Sequence, residues 1–284
     1  MINAAQETLL LPGFGSDSAE TPPLRAKAEP VAGHVYVGVA GWALPSPAYE
    51  PKPGFAPRLP LERFGEEGSA LERYARAYSA VEINSTFYRM HKPETFARWA
   101  RTVPLGFRFS VKLSKEITHV LGLAGARAPL EGFFAPVREL GAAMGPLLIQ
   151  LPPSRAFEPR RAAAFFRALR ELYEGPAVLE ARHESWFEPP ASRLLAEHVV
   201  PRVIADPCTV PIEPEPADRL VYYRLHGSPR IYWSGYSEAF LDDLAAKIAS
   251  LRARAEVWCI FDNTAAGFAQ GDALGLIDRL AARG

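Results

Sequence analysis

Polar residues recur in this sequence at the ends of short apolar runs. The run 80–84 ends in Glu82 and Asn84, and 107–113 carries Lys112, with Thr118 and His119 just beyond. The run 147–151 holds Gln150, and 177–181 holds Glu180 with Arg182 and His183 after it. Asp206 follows 202–205, Arg224 lies in 220–225 with His226 just after it, and Asp262 and Asn263 follow 256–261. Carboxylates and imidazoles of this kind transfer protons, and Arg and Lys hold anions. Glu180, Asp206, His183, His226 and Lys112 are the candidate catalytic groups. Glu82, Asn84, Tyr88, His119, Gln150, Arg182, Trp186, Arg224, Asp262 and Asn263 are the candidate substrate contacts.

The elements that must position them follow from periodicity. A β-branched run at 35–39 reads as a first strand, and a Pro- and Gly-bearing loop spans 45–68. Ser69 and Glu72 form a capping-box pattern that opens a helix. Strands at 80–84, 107–113, 147–151, 177–181, 202–205, 220–225 and 256–261 then alternate with helices at 93–101, 131–143, 159–173, 190–198, 238–252 and 268–282. The Pro-rich stretch 207–218 is not a regular helix. Eight strands with helices between most of them predict a parallel (β/α)8 TIM-type barrel. An open doubly wound sheet is the competing fold, but no G-x-G-x-x-G follows the first strand.

Side chains alternate along a strand, so Glu82 pairs in direction with Asn84, Glu180 with Arg182, and Arg224 with His226. Their neighbours Val81, Ile83, Leu179, Ala181, Tyr223 and Leu225 are apolar and would face the helices. The polar set then points into the barrel, at the end where barrels hold ligands. A buried, self-neutralising ion-pair network is the competing explanation. Trp42, Phe87, Tyr88, Trp186, Tyr232, Trp233 and Tyr236 flank the same end and would wall a pocket.

Composition narrows the partners. The 284 residues are 48% hydrophobic and 23% charged, enough for one large core. Thirty-two basic residues cancel thirty-two acidic ones, so phosphate-driven nucleic-acid binding has no basic excess behind it. Cys208 and Cys259 have no metal-ligand spacing, and Cys259 reads as a buried thiol. No apolar stretch is long enough for a membrane span and no signal peptide is read, so the expected location is the cytoplasm. Residues 1–33 read as a flexible extension ahead of a barrel domain at 34–284.

Several phrases taken in order are specific. Gly38-Val39-Ala40-Gly41-Trp42, Val81-Glu82-Ile83-Asn84-Ser85-Thr86-Phe87-Tyr88 and Phe109-Ser110-Val111-Lys112 are the first three. Ile117-Thr118-His119, Leu148-Ile149-Gln150-Leu151-Pro152-Pro153, Glu180-Ala181-Arg182-His183-Glu184-Ser185-Trp186 and Tyr223-Arg224-Leu225-His226-Gly227 follow. Together, over roughly 35–280, the chain resembles the YecE-like family, domain of unknown function 72. The resemblance implies a barrel related in architecture to sugar isomerases and brings no established activity. The N-terminal extension, the Pro-rich loop after Trp42 and Asp262-Asn263, where two Asn-like positions are common, depart from the family pattern.

The leading functional expectation is an isomerase- or hydrolase-like enzyme for a small polar or phosphorylated molecule such as a sugar. Lys112, Arg182 and Arg224 would hold an anion, Glu180 or Asp206 would act as base, and His183 or His226 as acid. A variant places a divalent metal on Glu180, Asp206, His226 and Asp262, against competition from the neighbouring Arg side chains. The alternatives are a non-catalytic binder of a small anion or nucleotide, and a nucleic-acid processing or binding protein.

Overall fold

Parallel strands cannot be joined by tight turns, so each apolar run is followed by a crossover that covers the sheet. A computed structural model describes residues 31–46 and 48–283, and most of the expected 1–33 extension lies outside them. It contains strands β1 (Val35–Ala40), β2 (Ala80–Ile83), β3 (Arg108–Lys112), β4 (Met144–Gln150), β5 (Ala177–Glu180), β6 (Ile204–Asp206), β7 (Leu220–Leu225) and β8 (Glu256–Phe261). The helices are α1 (Ala70–Ala77), α2 (Pro93–Thr102), α3 (Arg127–Val137), α4 (Pro159–Leu172), α5 (Pro189–Glu197), α6 (Glu238–Leu251) and α7 (Phe268–Ala281).

All pairings between these strands are parallel, in the order β5-β4-β3-β2-β1-β8-β7-β6. Closure falls to β5 and the segment entering β6, through a parallel bridge between Leu179 and Arg202. There Leu179 N donates to Pro201 O and Val203 N donates to Leu179 O. The fold is the (β/α)8 barrel that the alternation predicts. No α-helix follows β6, where prolines at 207, 211, 214 and 216 break the pattern.

Two layers of apolar packing result from strand parity. Val37, Val39, Val81, Ile83, Leu179, Tyr223 and Leu225 face the helices. Inside the barrel Tyr36 stacks on Trp258, which stacks on Tyr222, above and beside Ala80, Leu148, Val178 and Ile260. This apolar floor fills the lower interior, and the polar residues stand at its upper end.

Some boundaries differ from the sequence expectation for identifiable reasons. β4 begins at Met144, not 147, because Gly145-Pro146 is strand and not turn. The missing Pro146 N–H falls where the β3–β4 register shifts between Phe109 and Val111, and a bulge tolerates it. α3 starts at Arg127, ahead of 131, since Pro129 sits in the first turn where its lost N–H costs nothing. The helix stops at Val137, and a 3-10 segment, Arg138–Ala143, completes the connection. The 45–68 loop folds over the barrel. Ala56, Leu59 and Phe64 are buried, and Ala56 N bonds to Ala266 O.

Gly145 lets β4 approach the indole of Trp258: a Cβ there would lie 2.5 Å from that ring. Gly145→Ala is expected to lower stability by about 1–3 kcal/mol through overpacking of the barrel floor. Urea denaturation reads it, and an unchanged midpoint would show that Trp258 yields freely.

Candidate active site

β7 places Arg224 in the centre of the upper barrel, where its side chain is 1% exposed. A buried guanidinium demands partners on every edge. Its Nε and Nη2 donate to the two oxygens of Glu82 on β2, at 2.9 and 2.8 Å. Nη1 donates to Glu180 Oε2 on β5 at 2.9 Å, and Nη2 lies 2.9 Å from Asp262 Oδ2 beyond β8. Four strands of the barrel are thereby tied to one cation. The same layer extends downward, where the Tyr222 hydroxyl donates to Ser110 Oγ at 2.8 Å and lies 3.3 Å from Glu82 Oε2.

Glu180 spends its second oxygen as well. Oε1 accepts from Arg182 Nε at 2.8 Å and lies 2.7 Å from Nη2. Burial is the largest influence on this carboxyl and favours its neutral form. Arg224, His226 and Arg182 together overcome it and hold the group well below the usual carboxylate range. Arg182 keeps 29% of its side chain exposed towards the mouth.

His226 stands beside this array. Nδ1 shares a proton with Asp262 Oδ2 at 3.1 Å. Nε2 is buried without a hydrogen-bond partner and lies 3.5 Å from Glu180 Oε1, an ion-pair distance that falls outside hydrogen-bond geometry. Burial opposes the imidazolium, but Asp262 and the nearby Glu180 carboxylate outweigh it and raise the pKa above the ordinary 6.5. The left-handed Gly227 (φ 89°) turns the chain after His226, and a Cβ there would sit 2.5 Å from Ser234 O. Gly227 N donates to the Tyr236 hydroxyl, which donates to Asp206 Oδ1 at 3.0 Å.

Lys112 ends β3 and is 5% exposed. Its Nζ lies 4.3 Å from the centre of the Phe87 ring and has no hydrogen bond or ion pair among the described residues. Thr86 pins the strand end by donating to the Lys112 carbonyl at 2.7 Å. Burial first, then Arg224, pull the amine below its ordinary pKa, with Glu82, Glu180 and Asp262 partly offsetting them. His119, in a wide π-type turn at Glu116–Val120, packs edge-on against the same Phe87 ring. Gln150 is buried in register with Glu180.

Other expected contacts lie elsewhere. Trp186 is core: it is 1% exposed, packs on Phe157 and donates to the Arg155 carbonyl. It does not wall the mouth, because the short helical turn carrying it folds inward under the β4–α4 loop. His183 caps that turn, accepting from Ser185 N at 3.2 Å. Asn263 points away from the barrel and donates to Ser234 O and Asp272 Oδ2, as parity after Asp262 requires. Tyr88 is exposed at the rim, and Asn84 Oδ1 is buried without a partner. The four-residue metal set does not assemble among the described residues: Glu180 and Asp262 turn to Arg224 and Asp206 to Tyr236. A surface hollow of about 340 Å³ lies on the flank, lined by Val35, Val37, Tyr78, Ser79, Ile277 and Leu280 among others, and carries none of this chemistry.

Sequence reasoning missed Tyr222, Ser110 and Asp272. The first two were findable, since each stands two residues before a polar strand-end residue and shares its face. Asp272 is on α7, and no local pattern links it to Asn263.

Arg224→Met is expected to cost about 3–5 kcal/mol at neutral pH, because three carboxylates lose their common cation. Part of the deficit should vanish at acidic pH, since Glu180 and Asp262, which Arg224 helps hold low in the natural protein, take up protons there more readily once it is gone. An equal deficit at neutral and acidic pH, by chemical denaturation, would show that other cations meet their charge. Burial also pushes Asp272 up to about 6, against the hydrogen bonds from Asn263 and Tyr236. Its contribution to stability is full below about pH 4 and lost as pH rises through about 6. Asp272→Asn should therefore gain about 3 kcal/mol on the natural protein between pH 4 and pH 8. A difference constant across that range would refute the assignment.

Comparison with known proteins agrees with this architecture. The pattern of the family described as "Protein of unknown function DUF72" matches residues 36–284. The UPF0759 protein YecE of Escherichia coli (strain K12) is 33% identical over 144 residues, 49% of this chain and 52% of that one. The UPF0759 protein YunF of Bacillus subtilis (strain 168) is 25% identical over 55% of this chain and 53% of its own. The chain thus spans about half the length of the curated relatives it matches. A DUF72 family protein from Thermotoga maritima MSB8 superposes with a TM-score of 0.70 at 25% identity, covering 87% of this chain and 99% of that one. Another, from Enterococcus faecalis V583, has a TM-score of 0.67 at 21% identity over 87% and 95%, and shares the fold. The chain belongs to the DUF72 family.

Proposed function

We propose that this protein is an enzyme of acid–base chemistry on a small polar, anionic substrate, in the manner of sugar isomerases, at the C-terminal mouth of the barrel. The observation that carries the reading is His226. Its Nδ1 is held by Asp262, while its buried Nε2 closes no hydrogen bond among the described residues and has only Glu180 Oε1 at 3.5 Å, so the ring is oriented with one nitrogen loosely held. Its pKa is raised above the ordinary 6.5 by Asp262 and Glu180 against the effect of burial, which suits a group that gives and takes protons.

The roles expected from sequence are redistributed. Arg224 is consumed by three carboxylates, which leaves anion binding to Arg182 at the mouth. Glu180 is held too strongly ionised by its cations to be an effective base, and it serves to orient Arg224 and Arg182. Asp206 anchors Tyr236, and His183 caps a turn. Lys112 remains as the group whose nitrogen has no hydrogen bond or ion pair among the described residues.

The test is hydrogen exchange in D2O, followed by NMR, on hydroxyaldehyde and hydroxyketone phosphates and on 2-keto acids. Exchange at the carbon beside the carbonyl is expected with the natural protein and is lost in His226→Gln. A thermal shift without exchange for any compound of the panel would move the protein to the class of non-catalytic binders.

A further inference from the structure

Lys112 stands apart from the other lysines that the structure describes. Lys52, Lys92, Lys115 and Lys247 are exposed, whereas Lys112 is 5% exposed at a strand end inside the barrel. A buried ammonium ordinarily takes a carboxylate partner. Three carboxylates, Glu82, Glu180 and Asp262, are close enough to act on it, yet all three turn to Arg224. The amine is left against the face of Phe87, with no acceptor for its protons among the described residues. A lysine that is desolvated and placed near another cation is the arrangement that turns an amine into a nucleophile.

We propose that Lys112 is such a nucleophile, and that its Nζ condenses with the carbonyl carbon of a small anionic aldehyde or ketone to form an imine. The inference deepens the acid–base reading and rests on it for the location of the site. The neutral Nζ attacks the carbonyl carbon. A C–N bond forms, the carbonyl π bond breaks, and the oxygen takes a proton from His226 Nε2. The nitrogen then gives up one proton, which returns to His226. On transfer of that proton to the hydroxyl, the C–O bond breaks and water leaves. The nitrogen lone pair closes C=N. Amine, carbonyl and one proton give a protonated imine and one water, with no oxidant or reductant. The positive nitrogen then draws electrons from the adjacent C–H bond, which makes that proton removable.

The surroundings suit an anionic substituent. His119 shares the Phe87 ring with Lys112, and burial first, then Lys112, Lys115, Arg182 and Arg155, hold its pKa down, so Lys115, Arg182 and Arg155 add positive charge beside the amine. Arg155 Nε is buried without a hydrogen-bond partner.

The chain has six lysines: Lys27, Lys52, Lys92, Lys112, Lys115 and Lys247. The full-length protein is incubated at pH 7 with pyruvate, glyoxylate or dihydroxyacetone phosphate and sodium cyanoborohydride, and each lysine is read by peptide mass spectrometry. The expected result is a reduced adduct on Lys112 ahead of every exposed lysine. The advantage should be about tenfold for each pH unit by which its titration midpoint lies below theirs. Its labelling should reach half-maximum at a lower pH than theirs. Because the natural protein carries this readout, the test does not depend on a folded variant. Lys112→Met should lose that adduct alone. Labelling of the exposed lysines with Lys112 untouched by all three probes overturns the proposal. The D2O experiment separates the two readings. Exchange without a Lys112 adduct leaves the acid–base enzyme standing and removes the imine. An adduct without exchange keeps the nucleophile and removes the acid–base assignment.

Discussion

A guanidinium with 1% of its side chain exposed has to be neutralised from within, and the upper half of this barrel is arranged around that requirement. Arg224 on β7 is met by Glu82 from β2, Glu180 from β5 and Asp262 after β8. These strands are not all neighbours in the sheet, so the ion pairs cross the barrel interior and set the spacing of its mouth. Such a network adds little stability over a well-packed apolar filling, because desolvating four charges offsets most of their attraction. What it does supply is fixed geometry. Removing any one member leaves an uncompensated charge in a low dielectric.

The reactivity at the mouth follows from how that charge is shared out. Since the three carboxylates are committed to Arg224, none of them closes a hydrogen bond with Lys112 Nζ, and His226 Nε2 is left with only a 3.5 Å approach to Glu180. Burial has opposite outcomes for the two. It prevails at the amine and pulls its pKa down, whereas at His226 the directly bonded Asp262 and nearby Glu180 prevail and pull the pKa up. A proton donor and an amine that sheds its proton more readily than an exposed lysine therefore stand in one cluster. Beneath them the stacked Tyr36, Trp258 and Tyr222 fill the interior, and Tyr222 joins the two layers through Glu82 and Ser110.

The loops divide between holding the array and facing outward. Trp186, His183 and Asn263 are spent on the connections that frame the barrel. Tyr236 ties the end of β6 to the turn after His226. Phe55 and Trp233 meet at the rim from loops far apart in the chain, with Arg230 over the Trp233 ring. Aromatic residues of similar local sequence context thus end in opposite environments. The direction of a loop side chain depends on what its backbone bonds to, and no period records that.

The sequence by itself determined the barrel and the inward set on its strands. Both are properties of local alternation: apolar Val81, Ile83, Leu179, Tyr223 and Leu225 must face helices, so Glu82, Glu180 and Arg224 must face inward. A strand's parity is fixed by its own residues and survives any small error at its ends. What only the tertiary structure decided was which inward charge meets which. Arg224 could have held a substrate as readily as carboxylates while distances across the barrel were unknown. The folded chain gives it to Glu82, Glu180 and Asp262, and by that choice leaves Lys112 Nζ without a hydrogen bond or ion pair among the described residues and His226 Nε2 only loosely held by Glu180. Pairing across a barrel depends on strand tilt and register between segments up to 142 residues apart, and local sequence carries no measure of either.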